Sequence, residues 1–137
     1  MNKTALITGI NGQDGSYLAE FLLEKGYEVW GTVKRNSVAE NQTSRLDNIF
    51  DDIKLEYADL NDLASLIRVI QLSKPHEIYN LAAQSHVRIS FDQPIYTAQT
   101  TGIGTLNLLE AIKLTDKSIK MYQASSSTTH FVLFQMV

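Results

Sequence analysis

The sequence predicts an α/β fold, a doubly wound parallel sheet, and three observations predict it. An apolar strand at residues 4–8 runs into a glycine-spaced turn, a helix and a second strand within about thirty residues, which is a complete βαβ unit. Short apolar or alternating runs at 53–57, 77–81 and 119–124 then follow stretches of helical or loop character. Their exits carry small or polar residues, where a parallel sheet presents its ligand contacts.

The first strand is Thr4-Ala5-Leu6-Ile7-Thr8, and Gly9-Ile10-Asn11-Gly12-Gln13-Asp14-Gly15 follows it. Glycines at spacing three let the backbone turn sharply and come close to a diphosphate without a Cβ between them. The helix beginning near Asp14 offers unbonded N–H groups and the positive end of its dipole to the same anion. A bare glycine spacing fits a tight strand-to-helix turn better; the βαβ context reverses this in favour of a dinucleotide. Within the helix Leu18, Phe21, Leu22 and Lys25 form one stripe, and Gly26 stands where a left-handed stop belongs. The second strand covers 27–33.

An NAD site usually offers an acidic side chain to the adenosine ribose, about twenty residues past the glycines. Here the position reads Lys34-Arg35-Asn36-Ser37. Two cations with small polar neighbours suit a 2′-phosphate, the guanidinium by paired charge-assisted hydrogen bonds, so the expected cofactor is NADP. Solvated basic residues at the start of a loop are the plainer alternative.

Residues 36–44 have no periodicity and read as a loop over the adenosine end, followed by a short helix at 45–50 and the third strand at 53–57. Asp59 and Leu60 sit at that strand's exit. Asp59 suits a hydrogen bond to a base edge, and Asp-Leu-Asn-Asp equally suits a turn that caps the next helix. That helix is scaffold, with Leu63, Leu66, Ile67 and Ile70 at i, i+3, i+4 and i+7 behind an Asn61 or Asp62 cap.

Pro75 closes that connection. The fourth strand, 77–81, leaves into Ala82-Ala83-Gln84-Ser85-His86, small enough for a nicotinamide ribose to lie against backbone with Gln84 and Ser85 as polar contacts. His86 has no carboxylate or histidine at useful spacing and reads as a packing residue rather than an acid or base. His76 and His130 are not spaced with it as metal ligands, and no metal site is expected. A long helix spans 94–113, with Tyr96 at its start facing the strand exits. Gly102 and Gly104 interrupt it, so a close contact is expected there. The fifth strand, 119–124, delivers Ser125-Ser126-Ser127-Thr128-Thr129, hydroxyls that suit either a sugar or a polar turn.

Residues 130–137 are mostly apolar. A sixth strand there has no room for a parallel crossover, and a hairpin would end the parallel order. The expected division is therefore a nucleotide-binding domain at 1–129 and an atypical apolar tail at 130–137, an ending that reads as a truncation or a replaced reading frame.

With 44% apolar and 20% charged residues the 137-residue chain has the composition of one globular domain. A net charge of −3 without a basic block favours neither nucleic acid nor a membrane as partner. The absence of cysteine excludes disulfides, thiolate metal sites and a cysteine nucleophile. No export signal is visible, so a cytoplasmic location is the default expectation.

The stretches Gly12-Gln13-Asp14-Gly15-Ser16-Tyr17, Lys34-Arg35-Asn36-Ser37, Asp59-Leu60, Ala82-Ala83-Gln84-Ser85-His86-Val87 and Tyr122-Gln123-Ala124-Ser125-Ser126-Ser127 together resemble the extended short-chain dehydrogenase/reductase family of sugar-nucleotide enzymes, and within it the GDP-mannose dehydratases, over residues 3–127. The resemblance implies a Rossmann-like sheet, incomplete at about five strands and without the substrate domain. It implies NADP held by Gly9, Ile10, Asn11, Gly12, Gln13 and Asp14, by Lys34, Arg35, Asn36 and Ser37, by Asp59 and Leu60, by Leu81, Ala82, Ala83, Gln84 and Ser85, and by Tyr96. It implies GDP-mannose as substrate and a homo-oligomer in the full-length family. In that family a tyrosine takes the proton of the sugar 4-hydroxyl while C4 gives hydride to NADP. A glutamate then removes the C5 proton, water leaves from C6 and the hydride returns there, a net dehydration.

The family's catalytic hydroxyl falls on Ser126. Its glutamate falls on Thr128, which is no carboxylate base, and no tyrosine here has a lysine four residues later. The chain is therefore expected to be an inactive piece of a GDP-mannose 4,6-dehydratase type of enzyme. Alternatives are an NADP-binding module without catalysis, or a fragment of a related epimerase or reductase. Self-association is expected from an exposed sheet edge beside the apolar tail.

Overall fold

Strand β1, Thr4–Thr8, is buried at every residue, as an apolar run covered on both faces of a sheet must be. It lies in a computed structural model that describes residues 2–34, 44–81, 94–124 and 131–135, with backbone alone at 44, 94–103, 124 and 131–135. After β1 come α1 (Gln13–Glu24), β2 (Glu28–Val33), a 3₁₀ segment (Ser44–Asp52), β3 (Ile53–Tyr57), α2 (Leu63–Ser73), β4 (Glu77–Asn80), α3 (Pro94–Thr115), β5 (Lys120–Ala124) and β6 (Phe131–Gln135). The sheet order is β3-β2-β1-β4-β5-β6. The first five strands are parallel, and β6 returns antiparallel along β5, with Ala124 opposite Phe131 and Lys120 opposite Gln135. The tail after residue 130 is thus a hairpin strand, the arrangement that ends the parallel order.

Strand alternation divides the core in two. Ala5, Ile7, Val29 and Ile53 face α1 and the 3₁₀ segment, meeting Ala19, Leu22 and Leu46. Leu6, Ile78 and Met121 face the other way, against Leu66, Val69 and Ile70 of α2 and Leu108, Ala111 and Ile112 of α3. Helices on both faces of a parallel sheet make the α/β, doubly wound, Rossmann-like architecture that the sequence predicts.

The face that α1 buries shares Leu22 with its apolar stripe, and Leu18 packs against the same core, but Phe21 and Lys25 lie off that face. Gly15, Ser16, Ala19 and Leu22 are buried, whereas Phe21 is 52% exposed. A Cβ at Gly15 would stand 2.5 Å from the Gly9 carbonyl oxygen and 2.7 Å from Ile10 Cα, so the helix start is pressed onto the preceding turn and has no room for a side chain at that position. Phe21 and Lys25 do share a stripe, but an outward one, with Lys25 Nζ 5.3 Å from the ring centroid. Gly26 takes the left-handed stop, at φ 88°.

At α2 the cap is Asp62, whose carboxylate accepts from the N–H groups of Ala64 and Ser65. The helix ends at Lys74, itself left-handed at φ 48°, directly before Pro75. Gly104 of α3 makes the close contact expected of it, since a Cβ there would lie 3.0 Å from Leu60 Cβ. No helix among the described residues is long and apolar enough to cross a membrane.

Candidate functional site

A cavity of about 400 Å³ opens at the carboxyl ends of the central strands, within the usual range for a ligand site. Thr8 leads from β1 into it, Thr32, Val33 and Lys34 from β2, Ala58 and Leu60 from beyond β3, and Leu81 from β4. The turn residues Gly9, Asn11, Gly12, Gln13, Asp14 and Gly15 form its floor, and Leu66 of α2 its far side. The sheet order reverses between β1 and β4, so the cavity occupies the switch point where open α/β sheets bind ligands.

The floor presents backbone donors to the cavity. Gly9 adopts φ 69°, and the Gly12 N–H closes the turn onto its carbonyl at 3.1 Å. Gly12 is the N-cap of α1, with extended backbone and no side-chain cap. The first intrahelical bond runs from the Ser16 N–H to the Gly12 carbonyl, so the N–H groups of Gln13, Asp14 and Gly15 have no acceptor among the described residues. At α2, by contrast, Asp62 fills this role from within the chain. An uncapped helix start lining a cavity presents directed donors and positive potential to whatever enters. A dinucleotide's diphosphate would fit the residues present: Gly12 lines the cavity without a side chain to occupy it.

Behind the floor a buried polar chain crosses the sheet. Thr8 Oγ1 donates to Asn80 Oδ1 at 2.6 Å and accepts from the Leu81 N–H at 3.1 Å. Asn80 Nδ2 donates to Gln123 Oε1 at 2.7 Å, and Thr105 Oγ1 of α3 reaches the same oxygen at 3.4 Å. Asn80 is wholly buried, so these bonds are made in a low dielectric, where leaving them unmade is costly. They tie together β1, β4 and β5, of which the exits of β1 and β4 line the cavity through Thr8 and Leu81.

Of the residues singled out in the sequence, Gly9, Asn11, Gly12, Gln13, Asp14, Lys34, Leu60 and Leu81 line the cavity. Ile10 does not; its side chain is fully buried and lies against Gly31, where a Cβ would stand 2.4 Å from Ile10 Cδ1, so only its backbone belongs to the turn. Asp59 turns its carboxylate to the Asn61 N–H at 2.9 Å, the turn chemistry of its two readings. Tyr96 stands in the first turn of α3, where backbone alone is described. Arg35, Asn36, Ser37, Ala82, Ala83, Gln84, Ser85, His86, Ser126 and Thr128 lie outside the described residues.

Thr8, Thr32, Val33, Ala58 and Leu66 also line the cavity, although the motifs do not single them out. Thr8 carried a usable signal, a hydroxyl residue directly before the first glycine of the turn. Leu66 carried none, since its helical spacing announces only core. His76 is remote from the cavity chemistry, its Nδ1 accepting from the Thr4 N–H at the amino end of β1. Among the described residues no cluster of histidine, aspartate or glutamate could hold a metal ion.

Comparison with known proteins bears on the fold and the family. The UDP-glucose 4-epimerase of Thermotoga maritima, solved with UDP-glucose, is 31% identical at a TM-score of 0.63, over 80% of this chain and 33% of its own. The Thermus thermophilus UDP-glucose 4-epimerase, solved with NAD, is 28% identical at a TM-score of 0.65, over 81% of this chain and 34% of its own. In sequence the chain is 55% identical to the GDP-mannose 4,6 dehydratase of Cricetulus griseus over 135 residues and 54% identical to that of Homo sapiens. Each alignment covers 91% of this chain, which spans about a third of the length of these relatives, 36% in both cases. The model of the GDP-mannose 4,6 dehydratase family matches residues 6–130, and this chain belongs to that family.

Proposed function

We propose that the chain is the cofactor-holding portion of an NADP-dependent GDP-mannose 4,6-dehydratase. The observation that carries this reading is the uncapped start of α1 above the glycine turn, opening into a cavity that Lys34 also lines. The donors of Gln13, Asp14 and Gly15 hold the diphosphate. Lys34 and, after it in sequence, Arg35, Asn36 and Ser37 hold the 2′-phosphate, which separates NADP from NAD by charge.

Leu60 and Asp59 flank the base end, while Leu81 and the stretch Ala82, Ala83, Gln84 and Ser85, with Tyr96, flank the nicotinamide end. When bound, NADP supplies a reversible hydride acceptor. Ser126, which follows β5 in sequence, offers a hydroxyl to the reacting sugar of GDP-mannose. The enzyme is cytoplasmic and homo-oligomeric in its full form.

Thr128 at the position of the family's glutamate, and the absence of a Tyr-x-x-x-Lys pair, favour a second statement about this chain taken alone: it binds NADP and does not turn over GDP-mannose. Calorimetric titration with NADP and NAD, beside an assay of GDP-mannose dehydration, tests both. Tighter NADP than NAD binding without dehydration is expected. Tighter NAD binding overturns the cofactor assignment, and measurable dehydration by the 137-residue chain overturns the second statement.

A further inference from the structure

The site described so far leaves out a cation that stands beside it. Arg45 is the second residue of the 3₁₀ segment Ser44–Asp52. Its neighbour Leu46 is fully buried in the α1-side core and Ile49 packs against that core, so the segment's first turn is pinned next to α1 while Arg45 itself remains exposed. The guanidinium Nη1 donates to the Asn11 carbonyl oxygen at 3.4 Å. Asn11 lies between Gly9 and Gly12 in the glycine turn and lines the cavity.

That contact uses one of five donors, and at long range to a neutral acceptor it is a weak one. Asp47, Asp51 and Asp52 lie on the same segment, yet among the described residues Arg45 makes no salt bridge with them or with any other carboxylate. A positive charge thus stands beside a helix start that has no side-chain cap and one carboxylate, Asp14, in its first turn. An anion entering the cavity gives the remaining guanidinium donors a partner. The diphosphate is provided for by the floor of the turn. The remaining anionic group of the expected nucleotide is the monoester on the adenosine ribose, which in this fold lies between the glycine turn and the end of the second strand. Lys34 lines the cavity at that strand end.

We infer that Arg45 is a specificity-determining residue for the cofactor: it reaches across the glycine turn to the ribose 2′-phosphate and, with Lys34, makes the site prefer NADP to NAD. This rests on the nucleotide-binding reading above. A planar guanidinium pairs with two oxygens of a phosphate monoester at once, which an ammonium cannot do.

The test is calorimetric titration of the chain, Arg45→Gln and Arg45→Lys with NADP, NAD and 2′,5′-ADP, with thermal melts as a check of folding. Loss of charge-assisted hydrogen bonds at an exposed site predicts that Arg45→Gln weakens NADP and 2′,5′-ADP about tenfold or more and leaves NAD within about twofold. Arg45→Lys falls between. Equal weakening of NADP and NAD overturns the inference in favour of a diphosphate or scaffold role, and unchanged NADP binding by Arg45→Gln overturns it outright. If the unaltered chain binds neither NADP nor NAD, the nucleotide-binding reading fails together with the inference, and the unaltered chain alone reveals that.

Discussion

At Gly15 a methyl group has nowhere to go, since it would meet backbone of Gly9 and Ile10 at 2.5–2.7 Å, and backbone cannot rotate aside. At Gly12 the same methyl meets only the Gly9 carbonyl, at an ordinary 3.4 Å, and otherwise enters the cavity. The two positions therefore separate folding from binding. Gly15→Ala is expected to cost about 1–3 kcal/mol of stability by overpacking, read as a lowered melting temperature. Gly12→Ala is expected to melt within a few degrees of the parent and to lose NADP affinity at least tenfold in titration. Such residues are legible in a sequence because a Cβ has no room at Gly15 and intrudes on the cavity at Gly12. The Thr8–Asn80–Gln123 chain is not, because its partners are brought together across 72 and 43 residues of sequence and no local pattern marks them.

Among the elements, α2 followed the sequence most closely and α1 least in its packing. The apolar spacing of α2 and the carboxylate before it are both local facts, and both hold in the fold. Asp62→Ala is expected to cost about 1 kcal/mol in denaturant unfolding, through the two N–H groups it leaves without their cap. For α1 the apolar pattern finds Leu18 and Leu22 but misses Gly15, Ser16 and Ala19, because closeness to the turn at the helix start selects smallness there. Strand β4 carries a pH-sensitive group. Burial, followed by the charge of Glu77 and the bond that the hydroxyl donates to it at 3.0 Å, raises the Tyr79 phenol above its ordinary value. A raised pKa in the fold means that its stabilising contribution is complete below the unfolded value of about 10 and is lost as pH climbs from there towards the folded value. Tyr79→Phe should flatten the fall in unfolding free energy above that pH, measured by denaturant titration across alkaline buffers.

At the scale of the whole molecule, the parallel core was legible because each βα unit announces itself within a short stretch. The strand order was not, since it depends on pairings such as Ala5 with Glu77 that no local signal reports. The same applies to β6, whose composition fits a strand but whose direction is decided by its pairing with β5. That strand ends the sheet, and its outer ladder has no partner among the described residues. Sedimentation velocity over a concentration series is expected to show reversible self-association, and a lysine placed mid-strand, Leu133→Lys, to reduce it. Strictly monomeric behaviour at every concentration would count against this.

Leu60 belongs to two neighbourhoods at once. It lines the cavity, its carbonyl is held by Asn107 Nδ2 at 2.8 Å, and its side chain rests where Gly104 leaves room. A helix whose body lies over the opposite half of the sheet thereby props one panel of the ligand chamber from behind. The wall of that chamber is therefore open to remote adjustment: added bulk on α3 at position 104, which does not itself line the cavity, presses on Leu60, which does.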